Sequence, residues 1–171
     1  IYLIGFSIGG NLVLKYLGEQ GSSVLNKIKL GIVFAVPLCL EACARQLAKY
    51  ENMIYMKYFL YQLHRKIKKK MKIFPGLIDD RDFSKIKSFY DYDRAYTAPL
   101  NGFKDEYDYW AQASCKNHLN DIKVSTLIVN SIDDPFLAGD CYPMKDAMQN
   151  ENIFLETPEH GGHMGFASWG D

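Results

Sequence analysis

The stretch that most constrains the fold is the opening run IYLIGFSIGG, where strand-forming apolar residues lead directly into small ones. Glycine inside a strand or helix costs about 0.5–1 kcal/mol relative to alanine, so three clustered glycines indicate a geometric requirement. The run fits the pattern G-x-S-x-G, with Ser7 between Gly5 and Gly9. In a strand–turn–helix context this pattern holds a serine in a strained conformation and exposes its hydroxyl above a sheet. We therefore expect a buried strand over 2–6, a helix from Ile8, and crowding that excludes a β-carbon at both glycines.

The rest of the chain alternates strand and helix patterns at both ends, which predicts an α/β fold with a parallel sheet. The apolar run over 28–36 is rich in β-branched residues, as is typical of a parallel strand buried on both faces. Further strands are expected over 126–130 and 152–157, and helices over 40–50 and 141–149.

The middle of the chain breaks this alternation. It contains a basic amphipathic helix, a stretch rich in aspartate and tyrosine, and another helical pattern over 104–117, with no strand-like run among them. We therefore predict core elements over 1–51, a helical lid or cap insertion over 52–119, and core strands with two further site loops over 120–171.

Composition excludes several classes of protein. Twenty basic and twenty acidic residues balance, so no overall field favours nucleic acid. The four cysteines form no CxxC pair and have no further donors at metal-ligand spacing, which predicts free buried thiols, no metal site and a reducing compartment. The longest apolar run, Leu30 to Leu40, is too short to cross a bilayer. We expect a cytoplasmic protein without a cofactor.

Two histidines are candidates for the base that a serine hydroxyl needs before it can act as a nucleophile. His160 and His163 lie in the glycine-rich segment EHGGHMGF, after the last predicted strand. His64 lies in a lysine-rich helix and His118 lies near a helix end, so we interpret both as solvated or structural. The residues alone leave the choice between His160 and His163 open.

Two aspartates are candidates for the acid that orients such a histidine. Asp133 and Asp134 lie in NSIDDPF, directly after the predicted strand TLIVN. The order serine, aspartate, histidine is that of an α/β hydrolase, and all three segments follow strands, where α/β sheets place ligands. The helix after Ser7 directs its free N–H groups toward the serine, and the Ile8 N–H is the expected donor to an oxyanion.

Five segments of the sequence resemble the YheT-like group of α/β hydrolases, esterase-like proteins related to eukaryotic membrane-associated lipid hydrolases and to yeast medium-chain ester synthases. They span nearly the whole chain in the expected order: GFSIGGNLVLKYLGE, AVPLCLEACARQL, YDYDRAYTAPLNGFKDEYDYWAQAS, LIVNSIDDPF and PEHGGHMGF. The resemblance implies that Ser7 is the nucleophile, Asp134 the acid and His163 the base, with Asp133 as the alternative acid. It also implies cleavage of carboxylic esters, with medium-chain or lipid-like acyl groups, through an acyl-enzyme.

The resemblance further implies strands before the serine, a preceding loop that donates a second oxyanion N–H, and a closing helix after the histidines. The sequence contains none of these, so we expect the C-terminal portion of an α/β-hydrolase fold, with an exposed edge on the first strand and little activity alone. Two rival functions stay open. One is acyl transfer to an alcohol, which shares the acyl-enzyme, and the other is a non-catalytic binding protein with this fold.

The basic helix over 54–74 has two interpretations. Apolar residues recur every three or four positions and form one stripe: Met56, Leu60, Leu63, Ile67, Met71 and Phe74. Basic residues crowd the remaining positions: Arg65, Lys66, Lys68, Lys69, Lys70 and Lys72. The helix is either a lid that packs its stripe on the catalytic domain, or a lid that also makes a peripheral contact with an anionic membrane surface.

Overall fold

The computed structural model describes residues 1–166, which form parts of two compact units. The first unit combines Ile1–Cys43 with the chain from Ala113 onward, and the second unit is Ala44–Gln112. Every strand of the described chain lies in the first unit, and the second unit contains helices and turns. That the segment over 52–119 acts as a lid stays a prediction.

The sheet confirms the predicted fold class. In the described chain it has four parallel strands whose order in space equals their order in sequence: β1 (Tyr2–Phe6), β2 (Leu30–Phe34), β3 (Thr126–Val129) and β4 (Ile153–Glu156). The register aligns Gly5 with Val33, Val33 with Ile128, and Ile128 with Leu155. The carboxyl ends of these strands therefore lie along one edge. The Ser7 turn, the aspartate loop (130–136) and the histidine loop (158–166) follow these ends.

The described helices are α1 (Ile8–Gln20), α2 (Leu40–Leu47), α3 (Met53–Ile73), α4 (Phe89–Tyr92), α5 (Ala98–Leu100), α6 (Glu106–Ala113) and α7 (Met144–Gln149). They lie near the predicted positions, except for two short ones, α4 and α5, in the aspartate- and tyrosine-rich stretch where none was predicted. A π-helical turn over Asp93–Thr97 joins α4 to α5. The helix predicted over 141–149 begins only at Met144, because a proline disfavours the α-helical region for the residue before it, and Tyr142 has φ −114° and ψ 87°.

The expectation that β1 is buried is wrong for the described structure. Tyr2, Ile4 and Phe6 are 69%, 59% and 54% exposed. Among the described strands β1 pairs with β2 alone, whereas β2 and β3 each lie between two neighbours. One backbone edge of β1 therefore has no strand partner within residues 1–166, although its sequence has the apolar character of a central strand.

The core of the first unit lies between α1 and the sheet. Leu14 and Leu17 of α1 pack in one buried cluster with Val33 of β2 and Ile128 of β3. On its other side α1 closely approaches the 3₁₀ turn Lys116–Asp121, since a β-carbon built at Gly18 would lie 2.2 Å from the His118 carbonyl oxygen.

No helix in the described part of the chain is long and apolar enough to cross a membrane.

A buried asparagine side chain fixes the start of the aspartate loop. Asn130 follows β3, and its Oδ1 accepts a hydrogen bond from the Val36 N–H at 2.7 Å. Its Nδ2 donates to the carbonyl oxygens of Val36 at 3.1 Å and Cys141 at 2.8 Å. The loop that follows β2 is thus tied to both ends of the segment between β3 and α7.

In the second unit, α3 confirms the helix predicted over 54–74. Met56, Leu60 and Ile67 are buried, whereas Phe74 at the end of the stripe is exposed. The basic residues of its second half are exposed, as an amphipathic helix requires.

Candidate active site

Ser7 lies in the turn between β1 and α1 and has a strained backbone. Its φ is 51° and its ψ is −124°, a conformation that residues with a β-carbon rarely adopt. The Ser7 N–H donates to the Phe34 carbonyl at 2.9 Å, while its own carbonyl accepts from the N–H groups of Gly10 at 2.9 Å and Asn11 at 3.2 Å. These bonds to β2 and α1 hold the turn in place, as expected for a serine exposed by a strand–turn–helix motif.

The glycines around Ser7 differ in how much space surrounds them. A β-carbon built at Gly5 would lie 2.7 Å from the Gly10 Cα and from the Gly9 carbonyl oxygen, so the predicted crowding exists there. The same expectation for Gly9 is wrong, because a β-carbon there would meet no described heavy atom within 4 Å. Gly10 is the second crowded position, with Val36 Cγ2 at 2.6 Å. Gly10 therefore lies on the side of α1 that faces the sheet, and Gly9 lies on a side that does not.

His163 lies between Ser7 and Asp134. Its Nε2 is 3.0 Å from the Ser7 Oγ, and its Nδ1 is 2.8 Å from the Asp134 Oδ2. Both are hydrogen-bond distances, although the serine and the histidine are 156 positions apart in the chain. With a proton on Nδ1, the imidazole donates to the carboxylate and accepts from the serine hydroxyl, which is the arrangement that activates a serine.

The Asp134 carboxylate is enclosed. Its side chain has no exposed area, and its Oδ1 accepts a hydrogen bond from the Phe136 N–H at 2.9 Å. The Phe136 ring packs on the imidazole of His163, with ring centroids 4.5 Å apart. Sequence reasoning did not single out Phe136, although it ends the segment NSIDDPF. Its ring lies against the imidazole at a tilt of 47°, and its N–H binds the carboxylate.

Asp133, the alternative acid, accepts hydrogen bonds from backbone N–H groups, whereas it is Asp134 that pairs with the His163 imidazole. Its two oxygens accept from the N–H groups of Gly162 at 2.7 Å and Gly161 at 3.4 Å. These bonds, led by that from Gly162, hold the pKa of the Asp133 carboxyl below its usual range. The Ser131 Oγ also donates to the Gly162 carbonyl at 2.7 Å. Asp133 and Ser131 therefore anchor the histidine loop to the aspartate loop, a role that sequence reasoning missed.

The other three histidines have other partners. The His160 side chain is 90% exposed, and its Nδ1 is 3.6 Å from the Asp133 Oδ2. His64 bonds to Asp80 at 2.9 Å through Nε2, and the His118 Nε2 is 3.5 Å from the Lys15 Nζ. Within residues 1–166 no group of three or more His, Cys, Asp or Glu side chains is arranged to hold a metal ion.

Ile8 is the first residue of α1, so its N–H has no carbonyl one turn earlier in the helix to bind. Free N–H groups and the positive end of the helix dipole favour a negative charge near this point. The assignment of the Ile8 N–H as an oxyanion donor stays a prediction.

Comparisons with known proteins place this geometry in context. No family model matches the chain. The chain is 29% identical over 165 residues to YheT of Escherichia coli (strain K12), covering 95% of this chain and 48% of that protein. It is 32% identical over 163 residues to phospholipase ABHD3 of Bos taurus, covering 95% of this chain and 39% of that protein. The esterase Pf2001 of Pyrococcus furiosus aligns with a TM-score of 0.50 at 15% identity, over 96% of this chain and 46% of that one.

The chain thus spans less than half the length of each of these proteins. The sequence relatives agree with the resemblance found in the five segments, and the structural neighbour agrees with the predicted α/β-hydrolase fold.

Proposed function

We propose that this chain, which has an α/β-hydrolase fold and is similar to YheT and to phospholipase ABHD3, carries the catalytic serine, acid and base of a carboxylic ester hydrolase. The single observation that carries the proposal is the continuous run of hydrogen-bond distances from the Ser7 Oγ through His163 to Asp134. It combines a strained serine, a histidine within reach of its proton, and a buried carboxylate.

The proposed reaction follows the chemistry of these groups. The His163 Nε2 takes the proton of the Ser7 hydroxyl as Oγ attacks the ester carbonyl, and Asp134 stabilises the imidazolium that forms. The Ile8 N–H donates to the oxyanion of the tetrahedral intermediate. His163 then returns the proton to the leaving alcohol, which yields an ester of the acyl group with Ser7. Water, deprotonated by His163, attacks this acyl-enzyme and releases the carboxylic acid.

We propose esters with medium-chain or lipid-like acyl groups as substrates. Support comes from the named activity of the relative phospholipase ABHD3 and from the exposed apolar side chains of Phe6 and Ile8 on either side of Ser7. An apolar surface beside the nucleophile favours an acyl chain over a polar one, since its burial removes apolar area from water.

The test is hydrolysis of p-nitrophenyl esters of graded acyl length by the protein at the full length that its gene encodes. We expect kcat/KM to rise at least tenfold from the acetate to an ester of eight to twelve carbons, because each buried CH₂ contributes about 0.8 kcal/mol. The acyl product should be free acid in water. Failure to cleave any ester would refute the proposed function, and conversion to ethyl esters in added ethanol would identify acyl transfer.

We also propose that α3 contacts an anionic membrane surface. Its exposed cluster Lys68, Lys69 and Lys70 lies next to exposed apolar side chains at the end of the helix, Ile73 and Phe74. Basic residues close to an anionic surface contribute about 1 kcal/mol each, and neighbouring apolar side chains can enter the headgroup region. A face with only charged side chains would be fully solvated, whereas charged and apolar side chains together favour binding to an anionic lipid surface.

Charge reversal of this cluster tests the membrane proposal. The triple variant Lys68→Glu, Lys69→Glu and Lys70→Glu should lower co-sedimentation with phosphatidylserine-containing liposomes by at least about 100-fold in partition coefficient. The matched control reverses three exposed lysines of the first unit, Lys27, Lys29 and Lys123, and should lose much less. Equal losses in both variants would show a net-charge effect without a role for α3, and unchanged binding in the α3 variant would refute the contact.

A further inference from the structure

Two buried cysteines outside the candidate active site lie in direct contact. The Cys43 Sγ is 3.2 Å from the Cys141 Sγ, and both thiols are free. Cys43 lies on α2, and Cys141 ends the 3₁₀ turn Gly139–Cys141 in the segment between β3 and α7. Both belong to the first unit, and the proposed hydrolytic reaction uses neither. Both side chains belong to the buried core cluster of this unit, and their sulfurs meet although the residues are 98 positions apart.

The two thiols differ in their surroundings. The contact with the Cys43 thiol and the nearby backbone N–H groups of Cys39, Ala138 and Leu38 together lower the pKa of Cys141 to about 7. The same thiol–thiol contact and burial raise the pKa of Cys43 well above its usual value. Of the two thiols, Cys141 is therefore the one that ionises more readily. A thiolate with a pKa near neutrality is the form that reacts with oxidants and disulfides.

The geometry points to a reversible disulfide between Cys43 and Cys141, formed when the protein meets a peroxide. The Cys141 thiolate attacks one peroxide oxygen, the O–O bond breaks, and a sulfenic acid and hydroxide form. The Cys43 sulfur then attacks the sulfenic sulfur and the S–O bond breaks. Its proton and the departing hydroxide leave as water. In total two thiol sulfurs lose one electron each, and the peroxide accepts both.

Little movement is needed to close this bond. A disulfide has an S–S length of about 2.05 Å, so the sulfurs must approach by roughly 1 Å from their present separation. Cys141 is held in place on its other side, because its carbonyl accepts from Asn130 and the neighbouring Tyr142 hydroxyl donates to the Ser131 carbonyl at 2.7 Å. The bond would therefore tie α2 to the segment that carries Asp133 and Asp134.

The other two cysteines supply matched controls. The Cys115 Sγ lies near the Leu38 carbonyl at 3.9 Å, and burial raises the pKa of its thiol. Cys39 is half-buried and contributes its backbone N–H to the surroundings of Cys141. A serine at either position leaves both members of the proposed pair in place.

The test treats the folded protein with hydrogen peroxide, blocks free thiols with N-ethylmaleimide under denaturing conditions, and maps peptides by mass spectrometry. We expect a Cys43–Cys141 crosslink, about 2 Da lighter than the two reduced peptides, that dithiothreitol removes. Cys39→Ser and Cys115→Ser should retain it. The thermal midpoint should rise by about 5 °C or more on oxidation, because the bond closes a long loop in the unfolded chain.

Cys43→Ala provides the second arm and keeps the inference testable if crosslinked peptides are hard to detect. This variant lacks the resolving thiol, so the sulfenic acid on Cys141 should persist and react with dimedone. Circular dichroism checks that the variant folds, and wild-type protein should give at least tenfold less dimedone adduct. Full alkylation of both cysteines after peroxide, a crosslink to Cys39 instead, or no dimedone adduct on Cys141 in folded Cys43→Ala would each overturn the inference. The outcome is independent of ester hydrolysis.

Discussion

Ser7→Ala is expected to lower kcat for ester hydrolysis by about 10⁴- to 10⁶-fold, because no acyl-enzyme can form without the Ser7 hydroxyl. The residual rate would come from substrate binding and oxyanion stabilisation alone. The measurement is kcat on the best p-nitrophenyl ester, together with labelling by a fluorophosphonate probe. The probe should attach to Ser7 in the wild type and leave the variant unlabelled.

The control for this variant is Ser22→Ala, which changes an exposed serine in the 3₁₀ turn Gly21–Val24 and should retain wild-type activity and labelling. The free energy of unfolding should change little in Ser7→Ala, since alanine has the same β-carbon at the strained φ of 51°. Residual activity above a tenth of the wild-type value in folded Ser7→Ala would place the nucleophile elsewhere.

Asp134→Asn should lower kcat by about 10³- to 10⁴-fold. The amide keeps the size of the carboxylate but cannot stabilise the imidazolium, and its NH₂ group favours the tautomer of His163 that has no proton on Nδ1. The Asp134 side chain is fully enclosed, so water cannot replace the lost charge. The measurement is kcat and KM at a fixed pH. KM should change much less than kcat, because Asp134 acts on the imidazole and does not touch the substrate.

The neighbouring Asp133→Asn is the matched control, with the same chemical change one residue earlier. An asparagine oxygen can still accept from the Gly162 N–H, so we expect a loss of kcat below about tenfold. Asp133→Ala removes the anchor of the histidine loop and should lose more than Asp133→Asn, while the asparagine variant restores most of the rate. A larger loss in Asp133→Asn than in Asp134→Asn would reverse the assignment of the acid.

Local sequence predicted the elements of the first unit closely. The β-branched run over 28–36 contains β2, and the pattern that follows Ser7 contains α1, because residue spacing and turn residues act within a few positions. Local patterns could not predict the exposure of the β1 side chains, and only the resemblance to α/β hydrolases implied an exposed edge on this strand. Its sequence is that of a buried strand, and burial depends on which chain segments lie beside it.

In the candidate site, too, local sequence predicted some features and could not predict others. The segments NSIDDPF and EHGGHMGF each offered two residues for one role, and the residues alone left both choices open. In the fold, Asp134 contacts His163 and His163 contacts Ser7, whereas Asp133 binds the backbone of Gly162. Adjacent residues in a turn point in different directions, so a local pattern cannot tell which side chain will face a partner more than a hundred residues away.

The sequence by itself determined a strand–turn–helix around Ser7, a parallel α/β arrangement, and the order in which the three chemical groups occur. Only the tertiary structure decided which glycine is crowded, since Gly10 meets Val36 while Gly9 meets open space. It also brought Cys43 against Cys141. The physical reason is that backbone conformation depends on neighbouring residues, whereas contact between distant side chains depends on sheet register and loop closure, which form only when the whole unit packs.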